Sequence, residues 1–281
     1  MLKEYPFKSH YFKNTENHKL HYVDEGSGDP MLLIHGNPTW SFYYRNFIKE
    51  FSKTNRTIAL DNLGCGFSDK PQDYDYCLKN HIENLCQLVN KLELKNITLV
   101  VHDWGGAIGM GMAVKYPEKI KNIVLLNTAA FNSKEIPSSI ALCKAPIIGD
   151  IIIRAFNGFA YPATFMAVKK KLDPEIKKGY LLPYNNFKNR VAINSFVKDI
   201  PLNPKHKTYE TLKGIEDNLA KLTCPKLLLW GEKDFCFNMN FFNRFREIYP
   251  DAEYKTFPHA GHYVIEDAKD EAISRVKEFI K

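Results

Sequence analysis

The chain has 281 residues, a formal charge of +7 and a 44% hydrophobic composition that includes 19 Phe and 15 Tyr. That balance excludes a disordered chain and suits one large α/β domain, or one enlarged by an insertion. The lysines are scattered, and the densest run, Lys169-Lys170-Lys171, reads as a solvated helix face rather than a nucleic-acid patch.

The elements follow in chain order. The opening MLKEYPFKSHYF has no long apolar run and does not resemble a signal peptide. Short apolar runs predict strands over 31–36, 56–61, 97–103, 120–127, 226–231 and 253–258. Several are apolar on consecutive positions, as strands covered on both faces must be. Helices are predicted over 40–51, 78–92, 105–116, 241–248 and 268–280. In the second of these Leu78, Ile82, Leu85, Leu88 and Val89 share a face. Alternating β and α units imply a mostly parallel sheet flanked by helices, with right-handed crossovers. One segment breaks the rhythm. From about 131 to 215 the pattern is helical and cut by prolines, which predicts a helical cap (131–215) inserted into a core built from 1–130 and 216–281. Within it APIIGDIIIRAF is interrupted by Asp150 and Arg154, too charged to span a bilayer. Six widely spaced cysteines without a CxxC pair point to reduced thiols in a cytoplasmic protein, with no disulfide frame and no metal site.

Open α/β sheets place their sites at the carboxyl ends of the strands. Those ends carry His35, Gly36, Asn37, Pro38, Thr39 and Trp40, then Asp103 and Trp104, then Glu232-Lys233-Asp234, and last His259 and His262. The order nucleophile, acid, histidine is that of α/β-hydrolases, with Asp103 where Ser or Cys usually stands. A carboxylate can displace a leaving group at saturated carbon and leave an ester that water can cleave. Standing alone, Asp103 would read equally well as an N-cap for the helix after it. Gly105 and Gly106 supply the small residues that such a sharp turn needs.

The pieces HGNPTW (35–40), LGCGFSDKP (63–71), VHDWGG (101–106) and AGHYVIED (260–267) resemble the haloalkane dehalogenase family of the α/β-hydrolase superfamily. The resemblance runs from about residue 18 to the end. It is greatest to the subfamily that also contains the β-lactone decarboxylases of bacterial olefin biosynthesis, through NTAAF (127–131) and GEKDFCF (231–237). It implies an α/β-hydrolase fold, with Asp103 as nucleophile and His262 as the base that activates water. His262 follows a glycine, as the family motif requires; His259 then becomes a hydrogen-bonded structural residue, and His102 points to the other side of its strand. Asp234 would orient His262, because the position after 120–127, used for the acid by some relatives, is Asn127; Glu232 would face solvent. The Asn37 side chain and the Trp104 indole would bind the departing halide, and the backbone N–H groups of the same two residues would form the oxyanion hole. His35 and Pro38 would shape the loop, and Trp40 would anchor its helix.

The expected reaction is hydrolytic dehalogenation of a small apolar haloalkane through an aspartyl ester, with water and no cofactor. The alternative is a β-lactone decarboxylase giving a cis-olefin and CO2, which uses the same residue set. The apolar residues Ile147, Ile148, Ile151, Ile152, Ile153 and Phe156 allow either a long-chain pocket or a cap core. An epoxide hydrolase is a lesser alternative that would draw a proton from Tyr161, Tyr180, Tyr184 or Tyr209. Fluoroacetate dehalogenases carry Arg where Trp104 stands. A non-enzymatic member would show a degraded triad, and all three members are present. No nucleic-acid or membrane partner is expected, and the chain fits a monomer or a homo-oligomer.

Overall fold

The computed structural model describes residues 2–281. Eight strands form one sheet: β1 (Ser9–Lys13), β2 (Lys19–Glu25), β3 (Pro30–Ile34), β4 (Arg56–Leu60), β5 (Ile97–Asp103), β6 (Ile120–Thr128), β7 (Lys226–Gly231) and β8 (Glu253–Phe257). Their spatial order is β1-β2-β4-β3-β5-β6-β7-β8. From β4 to β8 the neighbours run parallel, while β2 pairs antiparallel with both β1 and β4. This is the mostly parallel sheet expected from the alternating pattern, in the α/β-hydrolase architecture that the resemblance implied.

The six predicted strands are present. β3, β5 and β7 are buried at every residue, which explains their unbroken apolar runs. The hairpin β1–β2 was not expected. In β1 only Phe12 is buried, so an edge strand of this kind leaves no apolar alternation to read. The predicted helix 40–51 is divided into a 3₁₀ turn, Ser41–Tyr44, and an α-helix, Arg45–Phe51. The helix Leu78–Lys91 buries Leu78, Leu85, Leu88 and Val89 as its periodicity requires.

Apolar clusters cover both faces of the sheet, one around Trp230 and Phe245, the other around Trp40, Tyr43 and Phe47. No strand falls between β6 and β7. That segment holds helices Ser138–Lys144, Ala160–Met166, Pro174–Leu181, Val191–Lys198 and Tyr209–Glu216, plus a short π turn at Ile151–Ala155. Directional bonds tie it to the sheet. The Trp40 indole donates to the Gly179 carbonyl at 3.1 Å, and the Tyr184 hydroxyl donates to the Thr39 carbonyl at 3.0 Å. Trp40 therefore does more than anchor its own helix. Asp199 accepts the first amide of helix Leu78–Lys91 at 2.8 Å. Arg45 and Glu266 form a buried pair (Nη2–Oε2 2.9 Å) that the Tyr180 hydroxyl joins.

The run Lys169-Lys170-Lys171 is exposed but lies in a loop, not on a helix. The backbone amides of Lys169 and Lys170 donate to the buried Asp267 carboxylate at 2.8–3.0 Å, and this turn geometry replaces the expected helix face.

Candidate active site

The site grows from the end of β5. Asp103 has φ 52° and ψ −129°, a left-handed conformation that costs a non-glycine residue about 1–3 kcal/mol. Close packing enforces it. A Cβ on Gly105 would sit 2.0 Å from the Ile34 carbonyl oxygen, and one on Gly106 would sit 1.8 Å from Thr128 Oγ1. The small residues after Asp103 are thus required by the sheet beneath them. Thr128 Oγ1 donates to the Asp103 carbonyl and fixes the turn from β6. Although Asp103 precedes a helix, its side chain makes no capping hydrogen bond. It turns instead into a cavity.

Three loops meet Asp103 there. The Asn37 amide donates to Asp103 Oδ1, and His262 Nε2 lies 3.7 Å from Oδ2. His262 Nδ1 is 2.9 Å from Asp234 Oδ2. The loop carrying His262 is held by the Gly261 amide donating to Asp267 (2.8 Å) and by His102 Nε2 donating to the His262 carbonyl (2.8 Å). Burial drives the His102 pKa far down, so that ring is a neutral strut and not a proton carrier. His259 is exposed, 3.4 Å from Glu271 in a surface pair, and is not the hydrogen-bonded structural residue expected from the sequence: β8 ends at the surface before the chain turns inward. Glu232 is exposed, as expected, and Asp234 is buried. Asn127 exchanges two bonds with the Gly231 backbone (2.7 and 3.1 Å) and so clamps β6 to β7.

Charge and burial oppose each other at this site. Desolvation pushes the Asp103 pKa up to about 6, although His262 and the backbone amides of Trp104 and Asn37 pull it down. For His262 burial pulls downward, but the charge and hydrogen bond of Asp234, with help from Asp103, raise it above its ordinary value. The pair therefore combines a carboxylate that gives up its proton late with an imidazole that keeps its proton long.

The cavity is about 350 Å³, within the range of small-molecule sites. Its walls are mostly apolar, from Phe131, Ile152, Phe159, Met166, Val197 and Leu212, and its polar groups converge at Asn37, Asp103 and His262. Trp104 lines it with its ring against Phe196, centroids 5.4 Å apart. One proton of the Asn37 side-chain amide goes to the Ile193 carbonyl at 3.2 Å, so one remains for a ligand. His35 shapes the loop as foreseen, accepting the Asn62 amide on Nε2 at 3.0 Å.

Tyr161, Tyr180, Tyr184 and Tyr209 do not line the cavity. The hydroxyls of Tyr180 and Tyr184 are spent on Glu266 and the Thr39 carbonyl. Of the apolar residues weighed as pocket wall, only Ile152 reaches the cavity; Ile153 is core, and Ile147, Ile148, Ile151 and Phe156 face outward.

Cys236 and Phe237 are among the lining residues to which the sequence assigned no role. The Phe237 ring stacks on His262 at 5.8 Å. Cys236, two residues beyond Asp234, carried no periodic signal. Its sulfur, an Asp234 oxygen and a His262 nitrogen lie within 4.8 Å of one another, a donor set that could in principle hold a metal ion. Two of those donors are already bonded to each other, and burial pushes the Cys236 thiol far up. A neutral thiol serves here as cavity wall.

Residues 29–145 match the family described as α/β hydrolase fold. The chain is 44% identical to a cis-3-alkyl-4-alkyloxetan-2-one decarboxylase of Shewanella oneidensis, over 98% of this chain and 89% of that protein. It is 30% identical to haloalkane dehalogenase 2 of Mycobacterium bovis, over 98% and 95%. The chain belongs to the haloalkane dehalogenase family of α/β hydrolases. The solved haloalkane dehalogenase DatA of Agrobacterium tumefaciens superposes with a TM-score of 0.88 at 24% identity, covering 96% of this chain and 95% of that one. That likeness speaks to the family's fold, while the two sequence relatives divide this haloalkane dehalogenase-family chain between two activities.

Proposed function

We propose that this protein is a β-lactone decarboxylase that converts a cis-3,4-dialkyl oxetan-2-one into a cis-olefin and CO2, with residues 131–215 acting as a cap over the site. The observation that carries the reading is the 44% identity to a decarboxylase along nearly the whole chain, against 30% to the dehalogenase. It moves the weight from the haloalkane expected first to the lactone held as the alternative.

The geometry is compatible with a two-step reaction. Asp103 Oδ2, the oxygen not engaged by the Asn37 amide, attacks the ring carbon bonded to the lactone oxygen. That C–O bond breaks, and its electrons leave on the oxygen of the freed carboxylate. Asn37 and Trp104 lie beside the reacting centre to receive this anion. Inversion places the new Asp103–carbon bond anti to the carboxylate on the neighbouring carbon. The carbon–carboxylate bond then breaks, its electrons form the double bond, and Asp103 departs as a carboxylate. In this anti arrangement the two alkyl groups remain on one side, so a cis lactone gives a cis olefin without bond rotation. No proton is consumed. Asp234 favours the protonated form of His262, which would ease the return of negative charge to Asp103. The apolar walls keep water from the ester.

A second reading, haloalkane dehalogenation, is favoured by the unengaged His262 Nε2 facing Asp103 at 3.7 Å, a place where hydrolytic water could be activated. Epoxide opening lacks a tyrosine acid in the cavity lining.

The deciding assay supplies a synthetic cis-3,4-dialkyl β-lactone and, in parallel, 1-bromobutane. Cis-olefin seen by gas chromatography, lost in Asp103→Asn, is the expected result. Bromide release without olefin would move the assignment to dehalogenase.

A further inference from the structure

The charge of this chain is divided unevenly. Residues 131–215 hold fourteen Lys and Arg against six Asp and Glu, a net of +8, so the remaining 196 residues carry a net of −1. The same segment carries the most exposed large apolar side chains, Phe156 at 78% and Ile147 at 73%, with Leu142, Ile148, Ile151 and Phe187 about half exposed. Contiguous exposed apolar surface of this kind marks an interaction site. The patch is continuous with the cavity: Leu142 is exposed on the outside and lines the cavity on the inside, and Ile152 lines it from the same turn as Ile151.

Local structure holds these side chains outward. Ile147 has φ 64°, a conformation that a β-branched residue seldom adopts, and it precedes the π turn Ile151–Ala155. A hydrophobic residue kept strained and exposed gains nothing for folding. Cationic groups border the patch. The Arg154 guanidinium lies over the Phe187 ring at 4.1 Å, and Lys177 lies over the Tyr161 ring at 4.1 Å. The acid on the turn, Asp150, is neutralised by Lys198 at 2.5 Å. A second copy of the chain would bring the same positive charge to this face and be repelled. An anionic lipid surface offers the complement to both features, apolar depth for the isoleucines and phenylalanine and negative charge for the lysines and arginines. Among the described residues no helix is long and apolar enough to cross a membrane, so the contact is peripheral.

We propose that the turn from Leu142 to Phe156 docks this protein on an anionic bilayer, with the cavity mouth facing the lipid. The docking does not depend on the lactone reading. If that reading holds, docking also explains how a substrate with two alkyl chains arrives, because such a molecule resides in the bilayer and would enter the cavity past Leu142 and Met166.

The test is flotation of the full chain with vesicles of phosphatidylcholine and phosphatidylglycerol, and with phosphatidylcholine alone. Binding to the anionic vesicles, weakened about tenfold without phosphatidylglycerol or in high salt, is expected. The double variant Ile147→Asp/Phe156→Asp should lose flotation while keeping its circular dichroism and its melting temperature. A milder pair, Ile147→Ser/Phe156→Ser, should weaken binding by an intermediate factor. Wild-type protein that stays in the soluble fraction with anionic vesicles would overturn the proposal, as would a folded double variant that floats like wild type. Concentration-dependent dimers in light scattering, abolished by the same substitutions, would assign the face to a second copy instead. Because flotation is read without substrate, its failure leaves the olefin assay untouched, and the converse holds.

Discussion

The end of β5 and the turn Leu142–Phe156 both hold a residue in left-handed backbone, Asp103 and Ile147, yet they sit in opposite surroundings. Asp103 is enclosed, with Ile34, Thr128 and Asn37 fixing its turn through backbone and side-chain contacts. Ile147 stands in solvent on a segment that carries the chain's excess charge. A positive φ is over-determined in one place and weakly supported in the other. The enclosed site is where a reacting atom must be held still. The open one belongs to a surface that meets something outside the molecule.

Breaking the enclosed site should have the largest effect. Asp103→Asn is expected to lower turnover by at least about four orders of magnitude in single-turnover assays, because a neutral amide cannot displace the leaving group. The same substitution should stabilise the fold at neutral pH. A buried carboxyl whose pKa rises to about 6 binds its proton more tightly in the folded state. Its contribution to wild-type stability is therefore fully present below the unfolded pKa, near 4, and is lost as pH climbs through about 6. Chemical denaturation should find the variant about 2–3 kcal/mol more stable at pH 8, with the difference closing below pH 4. Equal stability at pH 8 would contradict the buried, charged carboxylate.

Trp40→Ala tests the seam between the two regions. It removes a fully buried indole and its bond to Gly179, so a loss of about 3–5 kcal/mol is expected in urea titrations. His262→Ala sharpens the chemistry. With the lactone, turnover should fall about 100-fold with no adduct, because fragmentation needs no water. With 1-bromobutane, a mass increase on Asp103 should accumulate if hydrolysis depends on this imidazole. A stable adduct from the lactone would instead favour the hydrolytic route. The smallest effect concerns pH. The Asp103 carboxylate must be charged to attack, so kcat/KM should drop as pH falls below about 6. With the lactone, the rate should also fall at high pH as His262, raised by Asp234, loses its proton, whereas hydrolysis needs the neutral ring.

The contrast also explains what the sequence made legible. Strands β3 to β7 announced themselves because a sheet covered on both faces demands apolar residues at consecutive positions, whereas β8 is mostly exposed. Asp103, His262, Asp234, Asn37 and Trp104 stand at strand ends, and the structure brings four of them to one cavity, with Asp234 bonded behind His262. The edge hairpin β1–β2 was hidden because one face meets water and its residues are mixed. Cys236 and Phe237 were hidden because a loop's inward and outward residues follow no period. The prolines marked 131–215 as different, but which of its isoleucines turn inward depends on tertiary packing that no local pattern encodes.

Asn37 spans both regions at once. Its main chain touches Asp103, and its side chain holds the Ile193 carbonyl of the helical segment. Its side-chain oxygen is buried without a partner. Any swing of the helix Val191–Lys198 that lengthens the 3.2 Å bond hands a second amide proton back to the cavity. The residue therefore ties the hydrogen-bonding capacity of the cavity directly to the position of that one helix.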